Sequence, residues 1–383
     1  MTTIKHYISW TILKNTYSVF INNKYRITGI KHDPEPIDPF LFVANHAART
    51  DPYFIGPHIK AVLSYLANID GSSKFSKIIS PLVGLISKKK GMPDLSAVRN
   101  ALRTLHKKNS VGIFLEGDRS WDGETDKIHE NAGILAKKAK VPVYMAKLTG
   151  NYLTFPRWAE SKRIGKIFIE FKQIPLKRVI DLSNEELDKE ITAFLYKNDV
   201  KDEKLKDIAF TGKNLAHGIQ YALWLCPNCM SHDTIYGKKD DIICRKCSSS
   251  WKLNGNLRIL PPNQTGIDLK DWMDWQKKMI KELCSRPGNS LITSSEPVAW
   301  YEKKNDLPEF YDYGRLELFP GKLVFIANSK HNIEMPAGKI KYCIDNFNKN
   351  MEFSHDERRY HLQLNGKNAC KWIYIFRYLQ GLD

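Results

Sequence analysis

The sequence predicts an α/β protein with a mainly parallel sheet flanked by helices, extended by a cysteine-bearing segment and a small C-terminal β domain. Three observations support this class. Short apolar runs alternate with helical patterns between residues 40 and 200, two Cys-x-x-Cys pairs lie within 216–262, and short β-like runs occupy the chain from 296 onward. We therefore expect three domains: 1–215, with an amphipathic N-terminal segment, then 216–262, and then 263–383.

Five apolar runs in the first domain are predicted to be buried strands. They are FLFVA (40–44), AVLSYLA (61–67), VGIFLE (111–116), VPVYMAK (141–147) and KIFIEFK (166–172). Strands that alternate with helices imply a mainly parallel sheet, and the sites of such sheets lie at the carboxyl ends of the strands. We therefore expect functional side chains directly after these runs.

Three helices are predicted in the same part of the chain. DLSAVRNALRTLHKK (94–108) carries apolar residues three or four positions apart, which predicts one helix face formed by Leu95, Val98, Leu102 and Leu105. ENAGILAKKAK (130–140) is the second helix. SNEELDKEITAFLYK (183–197) begins with Ser183 and Glu186 at the spacing of a capping box, which marks the start of the third.

The charge balance favours polyanionic partners. The 59 Lys+Arg outnumber the 42 Asp+Glu and give a formal net charge of +17, which suits nucleic acid, anionic lipid headgroups or phosphorylated substrates alike. The sequence contains no apolar run long enough to span a bilayer and no pattern of a secretory signal. HYISWTILKNTYSVFI (6–21) could lie in a lipid interface or pack on its own domain.

VANHAARTDPYFIG (43–56) places an imidazole directly after a predicted strand. Asp51 precedes Pro52, as an N-cap residue precedes a proline at the first helical position. The intervening loop can also return the Asp51 carboxylate to His46, where it would orient the ring and stabilise the imidazolium beside a general base. The alternative is that Asp51 only caps the helix and His46 is an incidental loop residue.

IFLEGDRSWDG (113–123) places a second polar group at a strand end, formed by Glu116, Gly117, Arg119 and Ser120. A guanidinium can bind a phosphate through two hydrogen bonds, and Glu116 can accept a bond from a hydroxyl or hold the arginine in place. The alternative is a surface salt bridge in a turn, which contributes little stability.

Together the two stretches resemble the glycerolipid acyltransferases, the lysophosphatidate acyltransferase family. The resemblance covers about residues 35–200. NHAARTD contains that family's Asn-His followed by four residues and an Asp, and it is complete. FLEGDRS (114–120) resembles the family's Phe-Pro-Glu-Gly-Thr-Arg-Ser block, with Leu115 in place of the Pro and Asp118 in place of the Thr.

Two further blocks follow the order and spacing of the same family. ISKKKG (86–91) resembles its middle block, with Lys90 where an Arg is usual, and VPV (141–143) resembles its last block. The resemblance implies the family's reaction, which moves a fatty acyl group from a thioester to a hydroxyl in phospholipid biosynthesis.

The roles that the resemblance implies are those of a 1-acylglycerol-3-phosphate O-acyltransferase. His46 would act as general base on the sn-2 hydroxyl of 1-acylglycerol-3-phosphate, and Asp51 would hold the imidazole ring. The donor would be acyl-CoA or acyl-carrier protein. Arg119 and Lys90 would bind the acceptor phosphate. The substrate-binding residues would be Glu116, Gly117, Arg119, Ser120 and Lys90.

A long-chain lysophospholipid acceptor resides in a bilayer, so we expect a cytoplasmic protein bound peripherally to the anionic cytoplasmic face of a membrane. The apolar segment FSKIISPLVGLIS (75–87) is bounded by lysines and could insert one side at that interface. It could equally form core beneath the site.

CPNC (226–229) and CRKC (244–247) predict a structural zinc ribbon with the ligands Cys226, Cys229, Cys244 and Cys247. Four thiolates leave no open position, so Zn²⁺ would fold the segment rather than catalyse. Such ribbons often bind nucleic acid, which gives a rival hypothesis, a basic zinc-ribbon nucleic-acid-binding protein. We favour the enzyme because the rival leaves the His46 and Glu116 blocks unexplained. In addition, YALWLC, DWMDWQ and KWIYIF place Trp and Tyr beside aliphatic residues, which suits burial in an interface or a core better than stacking on bases.

The last domain is predicted to open with a tryptophan-bearing helix, DLKDWMDWQKKMIKELC (268–284), and to end with a second helix, ACKWIYIFRYLQ (369–380). Between them, runs such as GRLELFPGKLVFIA (314–327) read as strands joined by turns. Strands closed by a terminal helix suggest a small barrel of pleckstrin-homology-like shape.

Overall fold

The protein is described by a computed structural model. The residues it describes are 6–12, 16, 24–37, 39–48, 50–67, 84–88, 94–126, 128, 131–285, 290–304, 307–346, 350–364 and 369–382. The chain divides into two compact units, Met1–Arg157 with Arg163–Thr211 and Trp158–Lys162 with Gly212–Asp383. The first unit carries the predicted α/β domain, and the second carries the cysteine pairs and the C-terminal strands. The predicted division into three domains stays a prediction.

The first unit is built on a sheet of seven strands. They are β1 (Arg26–Lys31), β2 (Leu41–Ala44), β3 (Leu63–Ala67), β4 (Ile86–Ser87), β5 (Ser110–Phe114), β6 (Val143–Thr149) and β8 (Lys166–Ile174), and two short strands, β7 (Arg163–Ile164) and β9 (Thr211–Gly212), lie outside this sheet. The order is β1-β8-β6-β2-β5-β3-β4, and all neighbours are parallel except β6 and β8. The predicted mainly parallel α/β class is therefore confirmed.

Helices connect and flank these strands. They are α1 (Asp51–Ile55), α2 (Leu95–His106), α3 (Ala132–Ala139), α4 (Asn151–Thr154), α5 (Leu176–Asp181) and α6 (Asn184–Leu195), with 3-10 turns at Gly56–His58 and Glu203–Leu205. The three predicted helices are α2, α3 and α6. At the start of α6, the Ser183 hydroxyl accepts from the Glu186 N–H at 3.1 Å and the Glu186 carboxylate accepts from the Ser183 N–H at 2.8 Å. The predicted capping box is confirmed.

The apolar face predicted for α2 is wrong in part. Leu95 is 79% exposed and Val98 is 45% exposed, whereas Ala97, Ala101 and Leu105 are buried. Those three residues are four positions apart and form one row on the helix surface. The row begins with two small side chains, which let this part of the helix pack close to its neighbours.

Two apolar cores cover the two faces of the sheet. Along β2, Leu41 and Val43 enter a core shared with α2, α3, α5 and α6, while Phe42 and Ala44 enter an aromatic-rich core on the opposite face. β2 also has a parallel neighbour at each edge. Burial on both faces explains its continuous apolar run, and it gives the residues that follow β2 a rigid base.

The second unit begins with an antiparallel sheet of five strands. They are β10 (Ile235–Lys238), β11 (Asp241–Cys244), β12 (Ser250–Leu253), β13 (Arg258–Asn263) and β14 (Gly266–Asp268), preceded by a 3-10 turn at Ile219–Tyr221. The predicted helix α7 (Leu269–Cys284) follows, and the Asp268 side chain caps it by accepting from the Asp271 N–H. Trp272 of α7 packs edge-on against Trp251 of β12, with ring centroids 4.9 Å apart.

A second antiparallel sheet completes this unit. Its strands are β15 (Thr293–Lys304), β16 (Leu307–Phe319), β17 (Lys322–Ala327), β18 (Ile333–Pro336), β19 (Lys341–Asn346), β20 (Asn350–His355) and β21 (Arg358–Gln363), with a 3-10 turn at Ala337–Lys339 and the terminal helix α8 (Ala369–Leu379). The order is β18-β17-β16-β15-β21-β20-β19. The predicted β-rich domain with a terminal helix is confirmed. Among the helices of the described residues, none is long and apolar enough to cross a membrane.

Candidate active site

The loop after β2 is anchored before it reaches its histidine. The buried Asn45 amide donates to the Leu148 carbonyl at 3.0 Å, and its oxygen accepts from the Leu148 N–H at 2.8 Å. A side chain thereby continues the pairing of β2 with β6 by one step. An asparagine suits the position before His46 because its amide offers a donor and an acceptor, as a peptide group does.

His46 faces Asp51 across this loop. The distance from His46 Nδ1 to Asp51 Oδ2 is 2.9 Å, and the same oxygen accepts from the N–H groups of Ala47 at 2.8 Å and Ala48 at 2.9 Å. The histidine side chain is 22% exposed, whereas the aspartate is fully buried. The contact at Nδ1 leaves Nε2, on the opposite side of the ring, for proton exchange with a ligand.

The prediction that Asp51 caps the following helix is wrong. α1 has Thr50 at its N-cap and no side-chain cap, because the Asp51 carboxylate turns back toward the preceding loop. Burial raises the pKa of Asp51, but the hydrogen bond and charge of His46 and the bonds from Asn151 and Ala48 outweigh it and hold that pKa below its ordinary value. An ionised Asp51 can orient the imidazole and stabilise its charged form.

An aromatic ring supports the imidazole from one face. The ring centroids of His46 and Phe114 are 4.4 Å apart with an interplanar angle of 28°, and Phe114 in turn stacks on Tyr65 at 5.7 Å and 12°. The edge of the imidazole is therefore held by a carboxylate and its plane by a ring. Both contacts reduce the freedom of the histidine before any ligand binds.

Glu116 joins two loops through their backbones. Its Oε1 accepts from the His46 N–H at 2.6 Å and its Oε2 from the Asp126 N–H at 3.2 Å. Burial raises the pKa of Glu116 to about 8, although those two hydrogen bonds and the charge of Lys197 oppose the rise. The carboxyl group of Glu116 therefore holds the backbone of the histidine loop in place. The sequence did not suggest this contact.

The turn after Glu116 is tied to the same loop. Gly117 has φ +68, a left-handed conformation that favours glycine. The Ser120 N–H donates to the His46 carbonyl at 3.3 Å, while the Ser120 hydroxyl donates to the Glu124 carbonyl at 2.6 Å and accepts from the Gly123 N–H at 2.9 Å. The buried Ser120 side chain thus holds the turn in shape.

Arg119 lies in this turn, partly exposed, and a second arginine supports its backbone. The buried Arg157 guanidinium donates to the Arg119 carbonyl, pairs with Asp118 at 2.8 Å and lies 4.3 Å from the centre of the Trp121 ring. Asp118, the residue that departs from the family block, therefore has a cationic partner in this chain. Arg157 follows no strand end and belongs to no motif, so no sequence pattern pointed to it.

Two further buried residues are linked to Asp51, Asn151 directly and Lys197 through Asn151. Asn151 Nδ2 donates to Asp51 Oδ1 at 2.8 Å, and the Lys197 ammonium donates to Asn151 Oδ1. Sequence reasoning missed both. Asn151 follows β6 closely, so the rule that sites collect at strand carboxyl ends could have identified it. Nothing in the sequence around Lys197 distinguishes it from a surface lysine.

Lys90 lies outside the described residues, so its predicted contact with the acceptor phosphate stays a prediction. The same holds for most of the segment 75–87, of which residues 84–87 are described.

The four predicted ligand cysteines come together in the second unit. The sulfur atoms of Cys226, Cys229, Cys244 and Cys247 all lie within 4.8 Å of one another, with Cys226 3.7 Å from Cys247 and Cys229 3.8 Å from Cys244. Four sulfurs placed tetrahedrally around an ion at about 2.3 Å would lie about 3.8 Å apart. The cluster could therefore hold a metal ion.

Comparison with known proteins finds similarity in the first part of the chain. Residues 24–146 match the family model described as Acyltransferase. The solved structure of the 1-acyl-sn-glycerophosphate (LPA) acyltransferase PlsC from Thermotoga maritima is similar at 21% identity and a TM-score of 0.41, over 52% of this chain and 80% of that chain. No curated protein matches the chain. The matched range contains His46, Asp51, Glu116 and Arg119, four of the residues on which the resemblance to acyltransferases rests.

We expect Glu116→Gln to change how folding stability depends on pH. The folded-state pKa of about 8 exceeds the ordinary 4.5, so the wild-type protein takes up a proton on folding between these values and loses stability as the pH rises through them. Glutamine does not ionise, so the variant lacks this loss. The difference is on the order of several kcal/mol, since each pKa unit corresponds to about 1.4 kcal/mol.

Urea unfolding at about pH 5.5 and about pH 8.5 measures the effect, with the exposed residue Glu185 changed to Gln as the matched control. A wild-type protein equally stable in both buffers, or a Glu116→Gln variant with an unchanged difference, contradicts the assignment.

Proposed function

We propose that this chain, whose residues 24–146 form an acyltransferase domain, transfers a fatty acyl group from a thioester donor to the sn-2 hydroxyl of 1-acylglycerol-3-phosphate. The observation that carries the proposal is the contact of His46 Nδ1 with the buried Asp51 carboxylate, on a loop held by Asn45 and Glu116. A histidine oriented in this way is suited to accept a proton from an attacking hydroxyl.

In the proposed reaction, His46 Nε2 takes the proton of the acceptor hydroxyl while that oxygen attacks the thioester carbonyl carbon. Asp51 stabilises the imidazolium that results. The tetrahedral intermediate then collapses, the carbon–sulfur bond breaks, and the imidazolium returns its proton to the leaving thiolate. No covalent bond to the protein forms, and the donor is acyl-CoA or acyl-carrier protein.

Arg119 is proposed to bind the phosphate of the acceptor, and Lys90 to assist it. Arg119 belongs to the turn whose backbone is bonded to the His46 carbonyl through Ser120, so a phosphate at its guanidinium would lie near the reacting hydroxyl. Gly117 allows the turn, and Glu116 and Ser120 position it. We infer supporting roles for these three, rather than direct contact with substrate.

The acceptor lipid implies work at a membrane surface, on the cytoplasmic face. Residues 6–12 are helical; Trp10 is buried, whereas Tyr7, Ile8 and Ile12 are each more than half exposed. Packing on the domain and insertion into a lipid interface are therefore compatible. Trp10 packs on the domain, while the exposed Tyr7, Ile8 and Ile12 offer an apolar surface to lipid. The net charge of +17 favours anionic lipid.

The cysteine cluster is proposed to bind one structural Zn²⁺. The four thiol side chains and their sulfur spacings fit a closed tetrahedral site, which supplies folding stability rather than a reaction step. The rival role, nucleic-acid binding through the ribbon, leaves the buried polar groups around His46 without a use.

The transfer reaction is tested with the whole chain, acyl-CoA or acyl-carrier-protein donors, and a panel of phosphorylated glycerol and lysolipid acceptors, with products identified by mass. His46→Asn should lower kcat at least about 100-fold, because the asparagine amide can still donate to Asp51 but no group replaces Nε2. His106→Asn, on the exposed side of α2, is the matched control. Absence of transfer to every acceptor, or normal turnover by His46→Asn, contradicts the proposal.

Membrane binding is tested by sedimentation with anionic liposomes at low and high salt. Changing Tyr7, Ile8 and Ile12 together to Ser should weaken binding at least about 10-fold, because full burial of one large apolar side chain contributes about 1.5–3 kcal/mol. The matched control changes Leu95 and Val98, which are exposed on α2, to Ser. Equal binding by both variants argues against this surface.

Metal removal should destabilise the second unit. We expect about one zinc per chain by elemental analysis, and a strong chelator should lower the thermal midpoint of that unit because four uncompensated thiols replace a bound ion. Cys229→Ser should reproduce the effect, while Cys284→Ser, outside the cluster, should not. A protein that contains no zinc and resists the chelator would rule out the assignment.

A further inference from the structure

A buried amide joins Asp51 to a buried lysine. Asn151 follows Gly150, which has φ +85, and the chain turns there from β6 into the four residues of α4. The Asn151 side chain is fully buried between the Asp51 carboxylate and the Lys197 ammonium. The amide thus links the Asp51 carboxylate to the Lys197 ammonium, which also pairs with Asp199.

The orientation of the Asn151 amide is dictated by its two neighbours. A carboxylate only accepts hydrogen bonds and an ammonium only donates them, so the NH₂ group must face Asp51 and the oxygen must face Lys197. A rotated amide would place two acceptors together and two donors together. The amide therefore has one satisfied position, and that position fixes Asp51 Oδ1.

The charge of Lys197 is balanced inside the protein. Its side chain is 2% exposed, and its ammonium lies 2.7 Å from Asp199 Oδ2, which also accepts from the Tyr152 N–H at 3.0 Å. Burying such a pair costs desolvation free energy, and apolar residues of similar size often stabilise a core equally well. Packing alone therefore does not account for an ion pair at this place.

The contacts of Asp51 suggest what the buried Lys197–Asp199 pair does. Its Oδ2 meets the imidazole and two N–H groups, and its Oδ1 meets Asn151. Without the fourth bond, one oxygen of a buried carboxylate would lack a donor, and the group could rotate away from His46 Nδ1. Lys197 strengthens that bond by polarising the amide, and its positive charge also acts on Glu116, which holds the other side of the histidine loop.

We propose that Asn151 and Lys197 are positioning residues of the acyl-transfer site, which hold Asp51 in the orientation that His46 requires. The inference rests on the proposed function of the His46–Asp51 pair. Neither residue is expected to touch substrate, so their loss should lower kcat and leave KM within about twofold. Partners that orient metal-ligating histidines typically contribute about 10- to 100-fold, and we expect a loss of that order here.

The first test replaces Asn151 with Leu, which has a similar shape and no amide, and Lys197 with Met, which keeps the length and removes the charge. We expect kcat to fall about 10- to 100-fold in each. Lys201→Met, at an exposed lysine, is the matched control and should keep full activity. Thermal unfolding verifies that the variants fold. If Asn151→Leu does not fold, Asn151→Ser is used in its place. A kcat within twofold of wild type in a folded Asn151 variant overturns the proposal.

A double-mutant cycle separates positioning from a general structural effect. If Asn151 acts through Asp51, then Asn151→Leu should have little further effect on kcat in an Asp51→Asn protein. An undiminished loss in that background would show that Asn151 acts by another route, and would overturn the proposal.

A spectroscopic measurement distinguishes failure of this proposal from failure of the proposed function. The proton shared by His46 Nδ1 and Asp51 should give a downfield resonance in ¹H NMR, assigned by its absence in His46→Asn. We expect the signal to move upfield or to be lost by faster exchange in Asn151→Leu, whatever the activity. An unchanged signal refutes the positioning role, whereas a changed signal in a protein that transfers no acyl group refutes only the function.

Discussion

The candidate site depends on one buried carboxylate and the donors that surround it. Asp51 receives the imidazole of His46, two N–H groups of its own loop and the amide of Asn151. A buried anion of this kind is tolerated only when its hydrogen-bonding capacity is used. The same bonds that compensate its burial also set the direction of the histidine ring, so stability and orientation have a common origin.

The sheet explains why those donors meet. β5 and β6 lie on either side of β2 and run parallel to it, so the segments that follow all three strands leave the same edge. Asn45 joins the first segment to β6, while Glu116 joins it to the segment after β5. The loop that carries the histidine is therefore fixed from both sides by neighbours distant in the chain.

Local features of this site could be predicted from the sequence, and distant ones could not. The five apolar runs, the capping box at Ser183 and the pairing of two residues in one short loop are all short-range patterns. β1 escaped prediction because its residues are mostly exposed and show no apolar run. The face of α2 was misjudged because large apolar side chains outweighed the small alanines that in fact pack inward.

Residues that act through tertiary contacts are harder to predict from the sequence. Arg157 and Lys197 lie outside every recognisable block, and a lone basic residue in a chain of this charge resembles a surface group. Their burial becomes visible only when their carboxylate partners are placed beside them. The cysteine pairs are the opposite case, since their spacing alone restricts where the sulfurs can lie.

The position of Lys197 has a consequence for synthesis and for engineering. The match to the Acyltransferase family model stops at residue 146. Lys197, the last member of the hydrogen-bonded chain that supports Asp51, lies more than fifty positions later. During translation, the hydrogen-bonded chain from His46 through Asp51 and Asn151 cannot be completed until Lys197 has left the ribosome. A recombinant fragment that ends at residue 146 would therefore lack Asn151 and Lys197, which support Asp51 in the candidate site.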